Sequence, residues 1–405
     1  MSGCSFDRII CRDQTNSVKW DGAEERFGRP ELLPLWIADM DFCTADPILD
    51  EMKRVLEHGI FGYTRCPSTV KTAIQSWLLR LYQWNVARTS IVFNHNVVSS
   101  IALALRALTL KGDKILILSP VYNPFFEQIE QLGRQVVKSE LVIKDGRYAM
   151  DLEDMEDKIN QEKVRCLLFC SPHNPGGRVW NKEELEAVLL LAENYQIPII
   201  SDEIHSDLIL PGGKHQPIGQ MAVARNVKVV TLMAPTKTFN LAGIGPSYLL
   251  IFDPEIRKTI QALQKSMVYP EISPFQIAAM TAAYTKGEKW LTELLDYIAE
   301  NIAYVISAFA GVDELYCIRS EATYLMWVRY ADLGVTESEL NTAFLENGVA
   351  LQMGSTYGES GNGYFRMNIA APQATVVEGT RRILNAVQQL KESRVNKTSA
   401  AKSSI

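Results

Sequence analysis

The chain has 405 residues, 47% of them hydrophobic and 22% charged. That is enough apolar material for more than one core and excludes global disorder. A balance of 41 basic against 47 acidic residues leaves a net charge of −6, and seven scattered cysteines form no Cys-x-x-Cys pair; a nucleic-acid binder, a disulfide framework and a zinc ribbon are all disfavoured.

Residues 1–45 hold no regular pattern long enough to stand alone and are expected to pack on the smaller of two domains. The N-terminus lacks the apolar run of a secretory signal, and no stretch reaches the ~18 apolar residues of a membrane helix. A cytoplasmic protein without a membrane partner is the expectation. From there to residue 285, apolar strand-like runs recur: SIVF (90–93), KILIL (114–118), VRCLLFC (164–170), IPIIS (197–201), VKVVTLM (227–233) and PSYLLIF (246–252). Runs this apolar suit a sheet covered on both faces.

Helical patterns lie between them. VVSSIALALRAL spans 97–108, and KEELEAVLLLAENY spans 182–195 behind a start signal in which Asn181 caps and Glu184 stands three residues on. The alternation predicts an α/β domain over 46–285 with a mainly parallel sheet. Cys166 and Cys170 share one face of a strand and are expected to be core. After about 285 comes a long helical pattern and then the strands ATYLMWVRY and GYFRMNIA, which predict a smaller α+β domain over 286–392. The polar remainder, 393–405, is expected to be a disordered tail.

In an open parallel sheet, ligands bind beyond the carboxyl ends of the strands. KILIL is followed by Tyr122, VRCLLFC by Asn174 in SPHNPGG, IPIIS by Asp202 and VKVVTLM by Lys237 in APTKTF. Four strand ends thus offer a ring, a carboxamide, a carboxylate and an amine to one crevice. Pyridoxal phosphate requires such a set: an amine for a Schiff base, an acid facing the pyridine nitrogen and a ring to stack on. Each piece alone is weak, since an Asp after a strand is often a helix cap and Asn-Pro-Gly-Gly is first of all a turn. The order and spacing of all four carry the reading. Its phosphate calls for amides at a helix N-terminus, and NHNVVSS offers those of Val97 and Val98 with the Ser99 side chain; Thr236 adds a hydroxyl.

The segments SPHNPGGRVW, SDEIHSDL, APTKTFNLAGI and YFRMNIAAP, with PLWIADMDF and FGYT nearer the start, resemble the aminotransferase superfamily of pyridoxal phosphate enzymes. More narrowly they resemble its cystathionine β-lyase or cysteine-S-conjugate β-lyase branch. The resemblance runs from about residue 30 to 390. It implies the aspartate aminotransferase fold, with a mainly parallel seven-stranded sheet in the large domain. By resemblance, Lys237 carries the cofactor and then takes the substrate Cα proton, Asp202 keeps the pyridine nitrogen protonated, Asn174 bonds the ring hydroxyl oxygen and Tyr122 stacks. His205 stands where relatives carry a tyrosine that contacts the same oxygen, and His173 is read as shaping its loop. Arg366 grips the α-carboxylate, and Trp36 lies near the substrate entrance.

Tyr63 resembles a tyrosine that reaches the phosphate from a neighbouring subunit, which implies a homodimer with shared sites. Relatives have glycine at Asn96 and proline at Ser99; asparagine tolerates left-handed φ, so the turn is expected to persist. The resemblance favours a C–S β-lyase that splits cystathionine, cysteine or cysteine S-conjugates into thiol, pyruvate and ammonia. The alternative is an aminotransferase of the same fold. Five histidines without ligand spacing give no metal site.

Overall fold

The computed structural model describes residues 5–225, 227–268 and 272–402, the last eight of these by backbone alone. Seven strands form the central sheet in the order Ile91–Asn94, Ser247–Ile251, Val229–Met233, Ile199–Asp202, Cys166–Cys170, Lys114–Ser119, Gln135–Glu140. Ser247–Ile251 runs antiparallel to both neighbours, and the other pairings are parallel. The sheet is mixed, with a mainly parallel core as expected. Its seventh strand, Gln135–Glu140, is an edge strand whose alternating exposure leaves QVVKSE without the apolar run that marks the others.

Strand alternation sorts the side chains onto two covered faces. Ile115, Ile117, Cys166, Leu168 and Cys170 pack with Ile101 and Leu105 of the helix Val97–Leu108. Leu116, Leu167 and Phe169 pack the other way, against Met155, Ile159, Leu185 and Leu189. The helix Lys182–Asn194 begins with the expected capping box between Asn181 and Glu184.

A second sheet of four strands has the order Tyr316–Cys317, Leu325–Arg329, Tyr364–Asn368, Gln352–Met353, all antiparallel. The long pattern after residue 285 is the helix Glu288–Phe309. The last helix runs from Gln373 to Lys402, so the tail expected from 393 continues a helix as far as Lys402; residues 403–405 lie outside the described residues. Spacing misled here because a polar, small-residue sequence can extend a helix whose earlier turns are already packed.

The N-terminal segment is stitched to this sheet and to the large one. Leu33 and Pro34 pair in parallel with Val349 and Ala350, and Asn368 Nδ2 donates to the carbonyls of Ile37 and Asp39 at 2.6 Å. From the other side Asn240, at φ 54°, donates to the carbonyls of Met40 and Phe42 at 2.9 Å and accepts from the Met40 N–H at 3.0 Å. Lys19 is fully buried and paired with Asp41 at 2.8 Å. Residues 36–42 are thereby clamped between the two sheets.

Candidate active site

The carboxyl ends of the parallel strands open into a cavity of about 450 Å³. Its lining includes Trp36, Val97, Val98, Tyr122, Asn174, Asp202, His205, Thr236, Lys237 and Arg366. Every expected site residue except Ser99 and Tyr63 therefore meets in one place.

Lys237 sits in the short helix Pro235–Thr238 just past the strand Val229–Met233. Burial lowers its amine to about 8, with the Arg366 charge acting in the same direction and Asp39 and Asp202 opposing. Its Nζ donates to the Ala38 carbonyl, which also accepts from Tyr324 Oη at 3.1 Å. A buried lysine near neutrality is suited to attack an aldehyde, because the neutral amine is the nucleophile. Asp202 ends its strand in full burial, which raises its carboxyl to about 7 despite the Ile204 N–H at 3.1 Å. A buried carboxylate short of a cation favours a protonated ring nitrogen beside it.

His205 is buried, and its Nδ1 has no hydrogen-bond partner among the described residues. Burial, then the charges of Lys237 and Arg366, push it down to about 3, so it stands as a neutral imidazole facing the cavity. Burial also raises the Tyr122 phenol, with Arg366 opposing, and keeps it protonated. His173 instead packs between the rings of Tyr148 and Trp180, at 6.0 and 5.9 Å; it shapes the loop behind Asn174. Burial raises the thiols of both Cys166 and Cys170. Cys166 is core as expected, whereas Cys170, at the strand end, also lines the cavity.

The helix Val97–Leu108 points its N-terminus at the cavity, and the first N–H groups of any helix lack intrahelical acceptors. Asn96 is extended at φ −157°, so no left-handed residue is needed and the expected reliance on one is corrected. Its side chain accepts from the Ser99 N–H at 2.8 Å, while Ser99 Oγ donates to the Asn96 carbonyl at 2.9 Å. Ser99 is spent on the cap and does not line the cavity, which corrects its assignment to the phosphate. The signal was in the sequence: Asn is among the strongest N-caps. Gly245, at φ 67°, passes so close that a Cβ there would lie 2.7 Å from the His95 carbonyl oxygen.

Arg366 is 5% exposed in the strand Tyr364–Asn368. Its Nη1 donates to Asn174 Oδ1 at 3.2 Å, its Nη2 to the Trp36 carbonyl at 2.9 Å, and its plane lies 5.3 Å from the Tyr357 ring centre. Its Nε is buried with no acceptor among the described residues, a donor held ready for an anion. Tyr63 is fully exposed, beside exposed Ile60 and Phe61. Residues that sequence reasoning missed are Tyr357, Gln352, Thr356, Asn123 and Arg26; they sit in short turns, on a two-residue strand or on a seven-residue helix, where periodicity gives no mark. The donor set fits pyridoxal phosphate: helix amides and Thr236 for the phosphate, Asp202 for the ring nitrogen, Asn174 and His205 for the ring oxygen, and Lys237 for the aldehyde.

A family model described as aminotransferase class I and II matches residues 32–383. Cystathionine beta-lyase PatB of Bacillus subtilis is 38% identical over 386 residues, covering 95% of this chain and 100% of that protein. The crystal structure of cystalysin from Treponema denticola, which contains pyridoxal 5'-phosphate, superposes with a TM-score of 0.92 at 31% identity, covering 96% of this chain and 99% of that one. The PLP-bound C-S lyase of Staphylococcus hominis gives 0.89 at 30% identity, over 95% and 98%. With its sheet order, its strand-end cavity and these relatives taken together, the chain belongs to the class I and II aminotransferase family, with the aspartate aminotransferase fold.

Proposed function

We propose that the protein is a pyridoxal-phosphate-dependent C–S β-lyase acting on L-cystathionine, L-cysteine or related cysteine S-conjugates. The observation that carries the chemistry is the convergence of Lys237, Asp202, Asn174, His205 and Arg366 on one cavity. Relatives favour elimination: the 38% relative bears a cystathionine beta-lyase name, while an aspartate aminotransferase of Sulfolobus acidocaldarius stands at 23%.

Pyridoxal phosphate, when bound, supplies a sink for the electron pair released at Cα. Arg366 holds the substrate α-carboxylate through its unpaired Nε and its Nη groups, which fixes the amino acid in one orientation. Lys237 would hold the cofactor's aldehyde and, with its amine released, would take the proton from the substrate Cα. The Cβ–S bond then breaks, sulfur leaves as thiolate, and water completes hydrolysis to pyruvate and ammonia. Asp202 would be held ionised by a protonated ring nitrogen, and neutral His205 would be placed to donate to the ring oxygen. We further infer a cytoplasmic homodimer in which Tyr63, exposed on its own chain, serves the partner's phosphate site.

Incubating holoenzyme with L-cystathionine tests this reading through pyruvate and free thiol. Stoichiometric release of both is expected. Amino transfer to an added keto acid without pyruvate would instead make the protein an aminotransferase.

A further inference from the structure

The mouth of the cavity carries a cation that the chemistry above does not use. Arg26 lies on the short helix Asp21–Phe27, exposed, and lines the cavity. Arg29, three residues on, pairs with Glu346 at 3.5 Å, whereas Arg26 has no ion-pair or hydrogen-bond partner among the described residues. The helix that bears it is anchored through the next side chain: the Phe27 ring stands edge-on to Trp36, 5.2 Å between centres, and the Trp36 carbonyl accepts from Arg366. Arg26 and Arg366 therefore flank the same stretch of wall.

Among the described lining residues Asp202 is the one carboxylate, and the reading above places it at the ring nitrogen. Arg26 thus has no counter-charge in the cavity. The same cavity also has a polar stretch of wall. Gln352, opposite Arg366 in strand register, donates through Nε2 to Thr356 Oγ1 at 2.9 Å, which leaves its Oε1 open. Arg366 and Arg26 thus line one cavity, the second of them a cation with no carboxylate to meet it there.

We propose that Arg26 binds a carboxylate carried by the departing side of the substrate, so that the site selects sulfur amino acids whose leaving thiol is itself anionic. This rests on the elimination reading. A guanidinium meeting a carboxylate at the mouth of a cavity is worth on the order of tenfold in affinity, and the preference weakens as salt rises.

The test compares S-(2-carboxyethyl)-L-cysteine with S-propyl-L-cysteine, which match in chain length and differ in charge. Wild-type holoenzyme should favour the anionic substrate about tenfold in kcat/KM, chiefly through KM. R26Q should bring that ratio close to one, R26K should keep most of it, and R26E should turn the preference toward S-(2-aminoethyl)-L-cysteine. Equilibrium binding of the same amino acids, read from the cofactor absorbance, gives a second measure. A ratio that R26Q leaves unmoved while pyruvate still forms overturns the role of Arg26 and spares the lyase reading. An Arg26-dependent binding ratio without pyruvate from any substrate overturns the lyase reading and spares Arg26. Neither signal overturns both.

Discussion

The two walls of the cavity are built differently. The wall that would hold the cofactor comes from successive strand ends of one sheet, Tyr122, Asn174, Asp202 and Lys237, each placed by the residues just before it. The wall that would hold the substrate is gathered from residues 26–38, the turn Gly354–Tyr357 and the strand carrying Arg366. The first is rigid because regular hydrogen bonding sets its spacing. The second depends on long-range clamps such as Asn240 and Asn368 on the 36–42 segment. On the reading proposed above, catalytic chemistry would sit on the sheet and specificity on the clamped segments.

Substitutions should separate the two walls. The largest effect is expected from Lys237→Ala, which removes both the covalent link and the base; pyruvate release should fall by about 10⁴-fold or more in kcat/KM. Asp202→Asn on the same wall should also abolish useful turnover, yet the apoprotein should melt higher than wild type at pH 8. The sign follows from burial: the folded carboxyl sits near 7 against an unfolded 3.8, so its favourable contribution is complete below 3.8 and lost as pH rises toward 7. Removing the charge recovers on the order of a few kcal/mol, which calorimetry of apoprotein at pH 5 and pH 8 would read as a gap growing with pH.

On the other wall, Arg366→Lys should keep the cofactor absorbance while kcat/KM drops by roughly 10- to 100-fold, because a point charge replaces a planar fork. Loss of bound cofactor in that variant would break the division between the walls. The smallest effect belongs to the helix cap. Asn96→Ala should cost about 1 kcal/mol in chemical unfolding, and Ser99→Ala less, with cofactor affinity little changed by the latter. A large affinity loss from Ser99→Ala would return that hydroxyl to the phosphate.

The same division explains what was legible in the sequence. Six strands, the helix Val97–Leu108 and the capped helix at Asn181 announce themselves through apolar runs and start signals, and the strand-end residues follow from them. The edge strand Gln135–Glu140 is half exposed and so lacked the run. Tyr357, Gln352 and Arg26 were invisible because, in elements this short, nothing local distinguishes a residue that reaches a cavity from one that faces water. Ser99 was misassigned from its place at a helix N-terminus, where the local rule that Asn caps a helix was the better guide.

Borohydride reduction of holoenzyme, followed by peptide mass mapping, tests the central claim most directly. A pyridoxyl group on Lys237 is the predicted result. Its appearance on another lysine, such as the buried Lys19, or on none, would contradict the assignment of this cavity as the site of chemistry.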